Sequence, residues 1–578
     1  MLFAILTLLS QSPAPATPMH ERIVVTATAA PAAERTLGRA VTFITRDEIE
    51  RFAGGSIADA LRLAPGLDVR ARGEQGVQAD FVVRGAAFGQ TLVMIDGLRI
   101  NDAQSGHHNA DFTLSLASID RIEVVSGAAS SVHGADAFGG TINIVSRAGV
   151  YKEASVAAGS WNAVRGEAAF GRAGGVSASA WGSRSSGFMF DRGYGLGGAR
   201  VSAGVGGVRG SVAHARKAFG ANGFYGPSPS KEWTDATLAA AGLSRVAGGW
   251  AIDARGAYRN HGDRFRWDIA RPGFAENVHR TNAVDGTMAA SRDFRGGRRV
   301  TLGAAGGGDW IESSNLGTRT LGRGGVFAQM SLPLGTRAVV RPALRADAYS
   351  TWGSALSPSL SIAAWSGSRW RLRASTGRAF RVPTYTERFY TDPNHAARDG
   401  LLPERGWTLD AGADWRSAAW SVSGTLFGRW DANVIDWVRA STQERWQTTN
   451  VHDVETIGVE WSGRRAIGGG FAGASYAWLR SEAPALRLLS KYVLDYTRHA
   501  VGAHAALPLP AKFDLSARAD RRIRSDGQRY TLVNARIARR AGHATIFVEG
   551  ANLLDERYTE IAGVAMAGRS LSAGLTVR

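Results

Sequence analysis

Residues 119–147 read IDRIEVVSGAASSVHGADAFGGTINIVSR, and the fold turns on how their glycines are read. Gly134 to Thr141, GADAFGGT, has the spacing of a phosphate-cradling loop, but Gly140 stands where the lysine belongs. Such a loop needs converging backbone N–H groups, a Lys to meet the phosphate charge, and a helix behind it. Here Thr141 to Ser146 are β-branched and roughly alternating, which predicts a strand instead. Ile119 to Val125 predicts another. Strand, glycine-rich loop, strand leaves Gly134, Gly139 and Gly140 as tight turns and points of close backbone approach. A soluble nucleotide-binding enzyme is disfavoured.

Working outward, 578 residues exceed one ordinary soluble core. The chain has no Cys, which excludes disulfides, thiolate metal sites and a cysteine nucleophile, and suits an oxidising compartment. Leu2 to Leu9 is a short apolar run followed by Ala14-Pro15-Ala16, the pattern of a secretory leader over 1–16, without the positive charge that usually precedes it. No later stretch approaches the roughly 18 apolar residues of a membrane-spanning helix. The net charge of +18 is unevenly placed. Residues 1–150 hold 12 Arg and 15 Asp plus Glu, a net of −3, leaving 56 basic and 35 acidic residues, +21, for the remainder. All 17 Trp also lie after residue 150. No basic cluster with interleaved aromatics occurs, so nucleic acid is not an expected partner.

The C-terminal part alternates. In Trp420 to Trp430, one face carries Trp420, Val422, Gly424, Leu426, Gly428 and Trp430; the other carries Ser421, Ser423, Thr425, Phe427 and Arg429. Arg369, Arg371 and Arg373 share a face opposite Trp370, Leu372 and Ala374, and Leu409, Ala411, Ala413 and Trp415 alternate with Asp410, Gly412 and Asp414. Any one such strand fits a soluble sandwich. Many of them, with tryptophans near their ends behind an export signal, predict a transmembrane antiparallel β-barrel. Twenty-two tilted strands would use roughly 240 residues. A barrel that wide has a plugged lumen, and the acidic N-terminal part is a natural filling. That part reads as mixed α/β, with a helix over Ser56 to Ala64 and strands over Asp80 to Arg84 and Thr91 to Ile95 before the Asp96-Gly97 turn.

The motifs SIADALRLAPGLDVR, FVVRGAAFGQTLVMIDGLRIND and the stretch at 119–147, then STGRAFRVPTYTERFY, LLPERG, NVHDVETIGVEW and ANLLDERYTEIAGVAMAGR, resemble the TonB-dependent receptors of the Gram-negative outer membrane over nearly the whole chain. The resemblance implies a leader over 1–16, a TonB box and periplasmic linker over 17–34, a plug over 35–149 and an outer-membrane barrel, expected with 22 strands, over 150–578. Glu21, Arg22, Ile23, Val24, Val25, Thr26 and Ala27 resemble the TonB box, the extended segment that adds as a strand to the energy-coupling protein. The implied activity is uptake of a scarce ligand driven by the inner-membrane proton gradient. Its implied partners are the TonB complex, outer-membrane lipid and a small-molecule ligand; no covalent chemistry or cofactor is called for. The alternative is an outer-membrane channel or porin without TonB coupling, which needs neither plug nor box.

Arg84, Asp96, Arg121 and Glu123 match plug positions of the family and are expected to be structural, pairing across the plug–barrel contact. Phe88, Gly89 and Gln90 form one expected ligand-facing apex; Gln104, Ser105, His107, His108 and Asn109 form the other. Adjacent histidines in extended chain point apart, so His107 and His108 are expected as solvated loop residues and no metal site is assigned. Asp102 and Asp191 match no calcium-ligand spacing. The short barrel leaves little room for long loops, which resembles cobalamin receptors more than ferric-siderophore receptors. The chain departs from the family in ending Leu575-Thr576-Val577-Arg578, where an aromatic residue is usual.

Overall fold

The computed structural model describes residues 22–451, 453–483 and 486–578, so the expected leader and Glu21 lie outside the described residues. From Tyr151 to Val577 the chain forms one closed barrel of 22 antiparallel strands. The first strand, Tyr151–Gly159, closes onto the last, Ser570–Val577, with Ala154 opposite Val577 and Gly159 opposite Ser572. The non-aromatic terminus is tied down there, because Arg578 reaches Glu153 at 3.2 Å and Glu50 of the plug at 2.8 Å.

The two-residue period decides what each face meets. In Trp420–Ala432, Leu426 is 63% and Trp430 47% exposed, whereas Thr425, Phe427 and Arg429 are buried. Apolar side chains outward and polar ones inward invert a soluble sandwich, whose apolar face is its core; this is a lipid-facing wall. Arg371 and Arg373 point inward onto Asp414 at 2.7 and 3.1 Å. Arg369 does not share their face. It lies in the turn at 367–369, which Gly367 opens at φ +60° before the strand begins at Trp370.

Connections alternate in length around the rim. At one end they are tight glycine turns such as Gly206-Gly207, both at positive φ (61° and 87°), which match the twist of the flanking strands. At the other end the connections after Arg381, Ala432 and Glu482 are long. Four short strands within them, His395–Ala396, Val434–Arg439, Trp446–Val451 and Leu489–Ser490, pair into a sheet of their own. The expectation of little room for long loops therefore fails: strands longer than a membrane crossing, up to 19 residues in Glu276–Phe294, extend the wall and carry a structured cap.

Inside stands the plug. Its five-stranded sheet runs in the order Val41–Thr45, Ile119–Ser126, Gly140–Ser146, Thr91–Ile95, Leu98–Arg99. Helices Arg46–Phe52 and Ile57–Leu61 pack on it through Ile49, Ile57 and Leu61 against Ile44, Ile122 and Ile144. Ser56 caps the second, its Oγ accepting from Asp59 N at 3.1 Å. The Asp96-Gly97 turn has φ of 53° and 77°, as a two-residue hairpin requires. The glycine loop holds a four-residue helical turn, Ser130–His133, and then enters a strand, not a helix. Gly134 sits at φ +80°, and a Cβ on Gly139 would lie 2.4 Å from the Ala86 Cβ.

Candidate functional site

At the tight-turn end, the segment read as a TonB box folds back on itself: Ile23 pairs with Ala33 and Val24 with Ala32. Val24 is fully buried against Leu37 and Val125. Glu123, also fully buried, accepts from Val25 N at 3.1 Å and from Thr26 Oγ1 at 2.6 Å on one carboxylate oxygen. Its other oxygen is held by Arg121 at 2.9 Å. Asn143 Nδ2 donates to Thr26 Oγ1 at 3.0 Å, and His133 Nε2 lies 2.8 Å from the Thr26 carbonyl. A carbonyl only accepts, so Nε2 carries the proton. Burial, reinforced by the positive charges of Arg345, Arg39 and Arg255, lowers the His133 pKa to about 4 against the upward pull of that bond. The ring is neutral at pH 7. Ile23–Ala27 is thus held by a few side-chain bonds from the plug and a two-residue ladder, while the return of the hairpin touches the barrel wall, where Ala29 N donates to Gln329 at 3.0 Å and Arg299 to the Pro31 carbonyl at 3.3 Å.

At the long-loop end the two apices meet. Both are 3₁₀ turns, Phe88–Gln90 and Gly106–Ala110. His107 and His108 therefore do not stand in extended chain, and neither is a solvated loop residue: His108 is 5% exposed and the His107 side chain 14%. The turn is wedged between the plug strand Ala79–Val83 and the barrel, which covers both rings. They still point apart. His107 stacks on Phe88 with ring centres 4.3 Å apart and meets Asp80 at 2.8 Å, whereas His108 Nε2 faces Asp263 at 3.4 Å. Burial lowers the His107 pKa despite Asp80.

Most of the other apex side chains are engaged within the protein. Gln90 accepts from Ala87 N at 2.8 Å and donates to Glu404 at 3.0 Å; Gln104 donates to Asp263 at 2.9 Å. Asn109 accepts from Asp102 N at 3.0 Å, and Ser105 Oγ faces His107 N at 3.4 Å. Gly89 lies under Arg381, where a Cβ would come 3.0 Å from the guanidinium. What remains half-open is a bowl of Phe88, His107, Tyr225 and Tyr492, with Tyr492 5.1 Å from Phe88 and Lys491 5.2 Å above Tyr492.

Two family profiles match this chain: the TonB-dependent Receptor Plug Domain over residues 33–141 and the TonB dependent receptor-like β-barrel over residues 170–553. The second alone spans well over half the sequence. The chain is a TonB-dependent receptor. Its localisation follows, the outer membrane. Solved structures share the fold at low identity. The siderophore receptor PirA from Acinetobacter baumannii aligns with TM-score 0.76 and 14% identity over 94% of this chain and 98% of its own. A variant of the ferric enterobactin receptor PfeA from Pseudomonas aeruginosa gives 0.75 and 15% over 96% and 100%. The siderophore receptor PiuA from A. baumannii gives 0.74 and 15% over 94% and 97%.

In the receptor's plug, the four expected structural residues divide their roles. Arg84 crosses to the barrel, gripping Glu460 through both arms at 2.9 and 2.6 Å, pairing with Asp410, and lying over Phe427 at 4.3 Å. Asp96 accepts from Ser146 N and Oγ and from Arg200 of the barrel at 2.8 Å. Arg121 and Glu123 instead pair with each other and, through Glu123, with Val25 and Thr26. Asp102 is taken by Arg259 and His261, while Asp191 sits beside Gly220 and Asn222; the two do not share a site. Sequence reading missed the partners of Arg84, because Asp410 and Glu460 are 326 and 376 residues away. It also missed His133 and Asn143, although both belong to the stretch that first identified the plug.

Between plug and barrel wall lies a cavity of about 990 Å³. Its lining includes Arg255, Arg323, Arg345, Asp285 and Asp347, and Ile23, Val25 and residues 28–33 form its edge at the tight-turn end.

Proposed function

We propose that this receptor actively imports a ferric siderophore, with residues 21–27 as the TonB box. The observation that carries the reading is the docking of Ile23–Ala27 beneath the plug, where Glu123, Asn143 and His133 hold it at the periplasmic mouth of the cavity. A segment held so lightly can leave without disturbing the barrel and add as a strand to a partner sheet. Its withdrawal also removes one edge of the cavity, which gives a pulling force from the inner membrane a route to open beside the strands from Lys231 to Tyr349. A passive porin has no use for such a segment. No catalytic step is required.

The ligand class rests on the outer bowl. Phe88, His107, Tyr225 and Tyr492 offer π-faces, and Lys491 offers positive charge, which suits a flat, anionic, aromatic metal chelate. The solved relatives named as siderophore receptors agree in fold with this reading. Cobalamin lost its one support when the loops proved long enough to build their own sheet. Equilibrium binding to detergent-purified protein tests the class, with ferric catecholate and hydroxamate siderophores and cobalamin compared side by side. A ferric siderophore is expected to bind tightly and Phe88→Ala to weaken it about 5-fold, the ~1 kcal/mol of one aromatic contact. Tight binding of cobalamin alone overturns the ligand class.

A further inference from the structure

Midway between the apex and the barrel wall lies a fully buried cluster that the transport reading does not use. His108 and Asp111 come from the plug; His261 and Asp263 come from the barrel strand Trp250–Arg266. The imidazoles of His108 and His261 lie 4.7 Å apart, centre to centre. One ligand atom from each of His108, Asp111 and His261 falls within 4.8 Å of the others, which is the span of a single metal ion's first shell.

Three further features fit an ion there. Each imidazole has a carboxylate on its far side: Asp263 lies 3.4 Å from His108 Nε2, and Asp102 lies 3.1 Å from His261 Nδ1. A carboxylate on that side of the ring is where the outer-shell partner of a metal-binding histidine sits; His261 Nδ1 itself makes no hydrogen bond. The charge is also unbalanced. Three buried carboxylates, Asp102, Asp111 and Asp263, face two fixed cations, Lys217 on Asp111 at 2.8 Å and Arg259 on Asp102. Finally, Asp263 is only 6% exposed, yet its Oδ1 has no hydrogen-bond partner.

We propose that His108, Asp111 and His261 bind a divalent transition-metal ion of the zinc class, clamping the plug to the barrel beneath the ligand bowl. The mixed nitrogen and oxygen donor set suits a borderline ion better than calcium or magnesium, which prefer oxygen alone. The site is separate from siderophore binding and is tested without any siderophore present.

The experiment uses full-length, chelator-stripped protein in detergent, titrated calorimetrically with Zn²⁺ and followed with Co²⁺ by visible absorption. The expected result is one Zn²⁺ per chain and an intense Co²⁺ band of low-coordinate type. Both are lost in His108→Gln and His261→Gln and kept in His107→Gln, whose ring faces away. Asp102→Asn should weaken binding about 10- to 100-fold. Absence of saturable binding, or unchanged binding in both His108→Gln and His261→Gln, overturns the proposal and leaves a cluster held by protons only. Should those variants fail to insert, zinc-edge X-ray absorption of the wild-type protein decides: two imidazoles in the first shell support the site, and none refutes it.

Discussion

Replacing Glu123 by Ala should free the N-terminal segment without harming the barrel. Two of the bonds that hold Val25 and Thr26 end on one oxygen of this carboxylate, at 3.1 and 2.6 Å. A hydrogen bond to a charged group contributes about 1.5–3 kcal/mol, so two sharing one acceptor contribute less than their sum, about 2–4 kcal/mol. The equilibrium between docked and free segment should shift by roughly 30- to 1,000-fold. Because the chain contains no Cys, Ile23→Cys, at a half-exposed position of the segment, provides a unique site for a spin label, whose mobile fraction reads that equilibrium. The same shift should appear as tighter binding of the TonB C-terminal domain, up to the limit where the segment is already free, since affinity scales with the competent fraction. Glu123→Gln keeps one acceptor and should fall between. A mobile fraction and TonB affinity unchanged in Glu123→Ala would show that the ladder and the burial of Val24, not the carboxylate, hold the segment, and this reasoning would be wrong.

Other predictions address the plug as a whole. Arg84→Ala leaves Asp410 and Glu460 facing each other without their shared cation, which costs about 3–5 kcal/mol for a buried pair; hydrogen exchange of the plug amides should report it, and Arg84→Ala with Asp410→Asn and Glu460→Gln should recover part. His133 is neutral in the fold, with a pKa of about 4 against 6.5 for an ordinary histidine. Stability from this group is therefore complete above pH 6.5 and is lost as the pH falls through 4, about 3 kcal/mol in all. The label at position 23 should grow mobile over that window, and His133→Gln should flatten the profile.

The barrel was legible because membrane strands write their two faces at a two-residue period, as Trp420 to Trp430 does with Phe427 as its one exception. The plug was legible because its glycines meet backbone at distances no side chain permits, and because Asp96-Gly97 fits one turn type. A further signal went unread: Thr45 and Glu48 form a capping box for the helix Arg46–Phe52, with Thr45 N donating to Glu48 at 2.8 Å. Contacts across the plug–barrel seam carry no such local mark. His108 meets a barrel strand more than 150 residues away, and the reading of His107 and His108 began from an extended chain that the 3₁₀ turn replaces. The outer sheet escaped for the same reason, since its strands are two to six residues long and come from three separate loops.

Energy coupling through the N-terminal segment is the central claim, and radioiron uptake tests it most directly. Cells producing the full receptor, or the receptor lacking residues 21–28, would be given a labelled ferric siderophore that the purified protein binds. The account predicts equal receptor in the outer membrane and equal surface binding, with internal iron at background in the deletion. Undiminished uptake by a deletion variant correctly placed in the outer membrane would contradict it.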